Sequence, residues 1–373
     1  MAYKTFQKVD ENDDVEMYHF KYDDDIYLDL KVKGLVVDKV SQEVVCATSM
    51  HTDEYDLTMI DTIPDIFSID WSQTTVLYSE EGCFLRVYHY NNEWYISTHR
   101  KLNADNSKWG SKYSFKTLFV HALTELLYNE NDQRLFNLDV DFFNKLDKNY
   151  VYTFLLRNNS CNRIVCDSPG RNEFKVYFSG VYPIGDKHDY IPKFIKLNVN
   201  IPSVKVLQCE NLDDLKNCVS QMNYKYVQGV IVFAKMDGMT RIFKVMCDGY
   251  LNMKDVRNNC SNLVYRYAQI RVDFEMREKL LKLFPQFSYD FIRFENTLLK
   301  IAQYISNQYI NRFVKKQYAM VTPLQYKITK KIREWYLGNP FENRVTTNVV
   351  AKFINDEQPD YIYKLVTEFD EAN

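Results

Sequence analysis

The hydrophobic period of this chain changes near residue 274, and no single regular architecture accommodates both patterns. Before that point apolar residues alternate with polar ones in short runs, the signature of half-buried strands. Ile26–Lys33 reads this way. Cys83–Tyr90 and Glu93–Thr98 flank Asn91-Asn92, which predicts a hairpin. Further strand patterns occupy Tyr150–Leu156, Asn162–Cys166, Phe174–Phe178, Ile195–Val199, Tyr226–Phe233 and Arg241–Met246. Two helical patterns interrupt them, Ser114–Tyr128 with Ser114 as N-cap and Leu212–Met222. Beyond the change, Phe274–Phe284 and Phe291–Phe313 place apolar residues three and four apart. Leu324–Leu337 and Asn348–Phe353 also read as helices, and Pro340 and Pro359 punctuate the end. A chain of 373 residues exceeds one typical core. The expectation is therefore an α+β antiparallel-sheet domain over residues 1–255, followed by a smaller all-helical domain over residues 256–373.

Composition removes several function classes. With 46% hydrophobic and 26% charged residues, the chain is not disordered. Eight cysteines form no Cys-x-x-Cys and six histidines form no His-x-x-x-His, so neither a zinc site nor a disulfide framework is expected. Reduced thiols fit a cytoplasmic or other intracellular setting, a virion included. No apolar leader or membrane-length apolar window is present, so no membrane partner is expected. Abundant Asn, Lys, Ile and Tyr suit an A/T-rich, virus-encoded gene. The net charge of −3 conceals an asymmetry. Residues 1–80 hold 18 Asp/Glu and 6 Lys/Arg, whereas residues 254–344 hold 17 Lys/Arg and 8 Asp/Glu. The basic half either faces a polyanion or is a solvated surface of opposite sign.

Several short segments, in order, carry the chemical signal. Ser79-Glu-Glu-Gly-Cys83 opens a strand, and Glu93–Lys101 follows it with a basic end. Tyr152-Thr-Phe-Leu-Leu156 precedes Asn162-Arg-Ile-Val165. Gln228-Gly-Val-Ile-Val232 leads through a turn to Phe243-Lys-Val-Met246, with Asp248-Gly-Tyr250 behind it. This ordered set, spanning about residues 70–255, resembles ATP-dependent RNA ligases of the phage tRNA-repair type, members of the covalent nucleotidyltransferase superfamily. The resemblance implies a ligase-like fold and a pocket for ATP and Mg²⁺. In that family a lysine attacks the nucleotide and further lysines neutralise its phosphates.

The departures fall on the chemistry. Ser79 stands where the nucleophilic lysine is expected, and a hydroxyl cannot form the phosphoramide. Leu155 and Gln228 replace glutamates, and Met246 replaces a phosphate lysine. Glu81 replaces an Asp, while Gly82, Gly229, Arg163 and Lys244 are retained. No lysine lies between Lys39 and Lys101 to substitute. The resemblance therefore implies a nucleotide pocket of Glu81, Gly82, Phe154, Arg163, Gln228 and Lys244, without a metal-ligand set and without a confident nucleophile. Four of these have a plainer reading: Phe154 as a core aromatic, Arg163 as a turn cap, Gln228 and Lys244 as ordinary strand residues. Lys235-Met-Asp-Gly238 literally contains the nucleophile motif, but only about a third of the chain follows it. Asp237-Gly238 between two β-rich runs reads as a hairpin turn.

The basic half supplies candidate RNA contacts. Arg312, Lys315 and Lys316 lie in a basic aromatic run ending at Tyr318. Arg257, Arg266 and Arg271 flank the domain junction, where they line a cleft or merely link the domains. Three readings follow. The first is a catalytically degenerate RNA-ligase-like protein that binds RNA or nucleotide or serves a viral assembly. The second is an active ATP-dependent RNA ligase with a non-standard nucleophile. The third is a protein-interaction module whose pocket is filled.

Overall fold

The computed structural model describes residues 6–20, 33–48, 51–127, 135–158, 162–167, 174–185, 191–236, 238–318 and 320–372. The chain divides into two compact units, Met1–Asp255 and Val256–Asn373. The architecture is α+β with antiparallel sheets.

In the first unit, β1 (Phe6–Glu11), β2 (Val15–Phe20), β3 (Leu35–Asp38) and β4 (Val44–Cys46) form one sheet in that order. A short β5 (Asp53–Tyr55) and β6 (Thr75–Ser79) follow, then the β7 (Cys83–Tyr90) and β8 (Glu93–Ser97) hairpin. Asn91 and Asn92 both take left-handed backbone angles, which asparagine tolerates and which a tight hairpin turn needs. After α1 (Phe115–Leu127) and α2 (Leu138–Asp141), β9 (Tyr150–Asn158) and β10 (Phe174–Pro183) join that hairpin in the order β10-β9-β7-β8. The Ser114 hydroxyl accepts the Thr117 N–H at 3.1 Å, capping α1. Next come β11 (Val206–Leu207), α3 (Leu212–Ser220), β12 (Gly229–Met236) and β13 (Met239–Met246). The third sheet runs β11-β6-β12-β13-β5, antiparallel except where β5 lies parallel to β13.

Alternation assigns the faces of the middle sheet. Leu85, Val87, Phe154 and Leu156 point one way and pack on Leu118, Phe119 and Leu123 of α1. Tyr88 and Val151 point the other way, against Val15, Met17 and Val36 of the first sheet. Each such fully buried side chain contributes about 1.5–3 kcal/mol.

The second unit continues from α4 (Asp248–Arg257), whose last turn crosses into it, through α5 (Leu263–Ile270), α6 (Phe274–Leu283), α7 (Ser288–Tyr309), α8 (Pro323–Gly338), α9 (Thr347–Asn355) and α10 (Pro359–Ala372). α7 is its spine, burying Phe291, Phe294, Leu298, Ile301 and Ile305 among α5, α9 and α10. No helix among the described residues is long and apolar enough to cross a membrane.

Several expectations are corrected. Asn162–Cys166 is not a strand, because the N–H groups of Ile164, Val165 and Cys166 donate to the Glu81 carboxylate instead of a ladder. Ile195–Val199 is not a strand either. The free edge of β10 is taken by Lys193 at Val181 and by Pro202 and Val204 at Phe178. Pro359 opens a helix rather than ending one, since proline at a first helical position loses no hydrogen bond. The helix expected to reach Phe313 ends at Tyr309 and passes into a π-turn, Ile310–Val314. The strand expected from Ile26 lies, up to residue 32, outside the described residues, as do Tyr128 and Asp237.

One buried cluster carries a pH prediction. Burial, then the positive charges of Arg86 and Lys33 and the His19 and Arg100 side chains, lower His99 to about 3. The unfolded chain takes up that proton near 6.5, so between these values it binds more protons than the fold, and stability falls as pH falls. His99→Gln is expected to make the loss between pH 6.5 and 4.5 shallower by about 1–2 kcal/mol, as read from urea midpoints at each pH.

Candidate functional site

Three strand ends of the third sheet converge. Ser79 closes β6, Gly229 opens β12 opposite it, and Met246 closes β13 opposite Gly229. Gln228 stands just before Gly229. Its N–H donates to the Ser79 carbonyl at 2.9 Å and its carbonyl accepts from Cys247 N–H at 2.9 Å. This double tie fixes where its side chain begins.

The Gln228 carboxamide is the hub. Its Oε1 accepts from Lys244 Nζ at 2.6 Å and from Ser79 Oγ at 3.2 Å. Its Nε2 donates to the Tyr250 hydroxyl at 2.9 Å. Lys244 also reaches Glu54 Oε1 at 3.2 Å, because β5 places Glu54 directly beside Lys244. Tyr250 is buried, and burial together with the Glu81 charge raises its pKa far above the ordinary phenol range. Lys33 joins the same electrostatic environment. Burial lowers its pKa and the Lys244 charge lowers it further, against the opposing charges of Glu54 and Asp53. Ser79, Gln228 and Lys244 are thus brought together, and Glu54 and Tyr250 complete the hydrogen-bonded group.

The remaining expected pocket residues sit elsewhere or face other partners. Glu81 is buried and gathers three backbone N–H groups: Ile164 in a short contact, Val165 and Cys166 at 2.9 Å each. Gly82 lies so close to β9 that an added Cβ would stand 2.9 Å from the Leu156 carbonyl oxygen. Arg163 Nη1 donates to the Val165 carbonyl at 2.9 Å, and Nη2 lies 3.9 Å from Asp167, so it ties its own loop. Phe154 cannot stack a base: its ring is fully buried and packed against Phe119, Phe142 and Phe178. Met246 is buried and apolar. Lys235 pairs with Thr240 one step before the β12–β13 turn, away from the Ser79 end of β12. A buried Glu80–Arg157 pair at 3.9 Å, unforeseen in the sequence, lies next to Ser79 in the chain. Burial raises the pKa of Glu80, and Arg157 opposes that rise. Among the described residues, no group of three His, Cys, Asp or Glu side chains converges as a metal site.

In the helical unit, the expected arginines at the junction have structural work. Arg257 is fully buried, donates to the carbonyls of Cys260 (3.1 Å) and Ser261 (3.4 Å), and lies over the Phe284 ring. Arg266 donates to the Val256 carbonyl at 2.8 Å and to Gln269 at 2.9 Å. Arg271 grips Glu295 at 2.8 and 2.7 Å and Asn355 at 2.6 Å. All three guanidiniums are engaged by groups of the helical unit itself. Arg312, Lys315 and Lys316 are exposed.

No family model matches the chain. It is 35% identical over 241 residues to the immediate-early protein ICP-46 homolog of Invertebrate iridescent virus 3, covering 63% of this chain and 49% of that protein. The chain therefore spans about half the length of that relative. It is 24% identical over 372 residues to the ICP-46 homolog of Invertebrate iridescent virus 6, covering 91% of this chain and 77% of that protein. Similar solved structures include an archaeal ATP-dependent RNA ligase, with 13% identity, 74% of this chain and 66% of that one covered, and a TM-score of 0.43. A putative ATP-dependent DNA ligase from Aquifex aeolicus shares 12% identity over 77% of this chain and 69% of its own, with a TM-score of 0.42. An RNA ligase from Naegleria gruberi shares 12% over 55% and 58%, with a TM-score of 0.34.

Proposed function

We propose that this chain is a viral protein built on the scaffold of an RNA ligase of the phage tRNA-repair type, and that it binds RNA without forming a covalent nucleotide intermediate. The observation that carries this reading is the partner of Ser79. Its hydroxyl proton goes to the Gln228 carboxamide oxygen, which is no base and does not activate the hydroxyl. The neighbouring charge is also spoken for. Lys244 divides its ammonium between Gln228 and Glu54, so an incoming phosphate would have to displace a carboxylate. The converging side chains do not suit a magnesium triphosphate. Support for the RNA half comes from the exposed Arg312, Lys315 and Lys316.

The test is incubation with radiolabelled ATP and, separately, GTP, followed by a denaturing gel. The expected result is no covalent label with either. Lys33 favours one second reading, because a partly desolvated amine near Lys244 is a nucleophile arriving from outside the expected strand. A band that survives denaturation and disappears in Lys33→Met would replace the first reading with this one.

A further inference from the structure

From Asn296 to Arg333 the chain has no aspartate or glutamate and eight Lys/Arg. The fold sorts the seven that follow Lys300 into two groups. Lys327 and Lys331 meet Glu357, and Arg333 lies over the Phe313 ring at 4.7 Å. Among the described residues, Lys330 has only the exposed Glu334 as an ion-pair partner, 3.9 Å away. Arg312, Lys315 and Lys316 are exposed, and among the described residues none of them has a carboxylate within ion-pair distance.

The backbone holds these three together in an unusual way. Lys315 N–H donates to the Ile310 carbonyl at 2.9 Å, closing a π-turn, and Gln317 N–H reaches back to Asn311 at 2.8 Å. Lys316 then takes φ +59°, a conformation glycine adopts freely and lysine rarely. Aromatic rings are interleaved with the charges. Tyr318 is 90% exposed. Arg312 lies 5.3 Å from the Tyr326 ring, which brings α8 beside the turn. Lys330 is one helical turn beyond Tyr326 on the same face.

Four like charges on one surface repel unless a polyanion covers them. The exposed rings select among polyanions, since a tyrosine can stack only on bases that are not already stacked in a duplex. We propose that Arg312, Lys315, Lys316, Tyr318, Tyr326 and Lys330 form a binding surface for single-stranded RNA. The cations take backbone phosphates and Tyr318 stacks a base. This rests on the RNA-binding reading above and assigns its site and strandedness.

The experiment is fluorescence polarisation of a labelled single-stranded 20-mer RNA against the full chain, titrated across salt concentrations. The combined variant R312A/K315A/K316A removes three phosphate contacts. It is expected to bind at least 10²-fold more weakly and to flatten the slope of log affinity against log salt by about 2, at about 0.7 per contact on a single strand. Tyr318→Ala is expected to lose about 5- to 100-fold with the slope unchanged, and Tyr318→Trp to recover it. Unchanged melting temperatures exclude misfolding of these surface variants. Wild-type binding that both variants retain in full overturns this site while leaving the RNA-binding reading intact. So does equal competition by duplex RNA, or a preference for anionic vesicles over the oligomer. A wild-type chain that binds no RNA at low salt overturns both.

Discussion

Gly229→Ala is expected to melt the first unit roughly ten degrees below the unaltered chain. Gly229 is the residue where β6, β12 and β13 meet, pairing with Ser79 on one side and Met246 on the other. Its φ of +149° lies in a region closed to side-chain-bearing residues. A Cβ placed there would stand 2.0 Å from the Val245 carbonyl oxygen and 2.8 Å from Met246 Cα, both of them backbone atoms that cannot rotate away. Relief requires separating β12 from β13 at the row that holds Gln228 in place. The cost is on the order of 4 kcal/mol or more, which in a unit of this size lowers the melting temperature by roughly ten degrees or abolishes recovery. Gly238 supplies the control. It also has positive φ (+79°) but meets nothing within 4 Å, so Gly238→Ala is expected to cost only about 1–2 kcal/mol. Equal melting temperatures for the two variants would mean that β12 does not run between β6 and β13 as described.

That same row separates what the sequence makes legible from what it does not. The β7–β8 and β12–β13 hairpins are written locally, in alternation and in turn residues, and both form. Phe154 is legible by the same rule, since its alternation with Tyr152 and Leu156 puts it on the face packed against α1 rather than in a pocket. Glu54 is not legible. It reaches Lys244 through a parallel pairing between segments about 190 residues apart, and nothing near Asp53–Tyr55 encodes that partner. The arginines mislead in the opposite direction. In a charge count Arg257 and Arg271 resemble Lys315, yet one is buried on carbonyls and the other is held by Glu295. Net charge measures how many cations there are, whereas a binding surface depends on how many lack partners. The acid-free stretch around the π-turn comes closer to that second quantity.

The Asn162–Cys166 segment shows how a wrong expectation of regular structure exposes a strong prediction. Its apolar pattern reads as a strand, but its N–H groups converge on one buried side chain, Glu81. A carboxylate accepting three backbone N–H groups does for this loop what a ladder does for a strand. Glu81→Ala would leave three donors without acceptors in a site that is 4% exposed. At about 1–3 kcal/mol for each buried unsatisfied group, with the loop relaxing to recover part, the expected loss is roughly 3–5 kcal/mol. The corresponding fall in melting temperature is on the order of ten degrees. Glu81→Gln keeps one acceptor oxygen and turns an NH₂ toward the remaining donors, so it should fall between the two. Ser79→Ala, one strand-end away, removes a single hydroxyl donor from a carboxamide oxygen that still holds Lys244, and should cost no more than about 1 kcal/mol. The order of the three variants is the discriminating result. If Glu81→Ala melts with Ser79→Ala, then Glu81 is not the organiser of the loop. The retained acidic residue at this position would then need a reason in ligand binding rather than in folding.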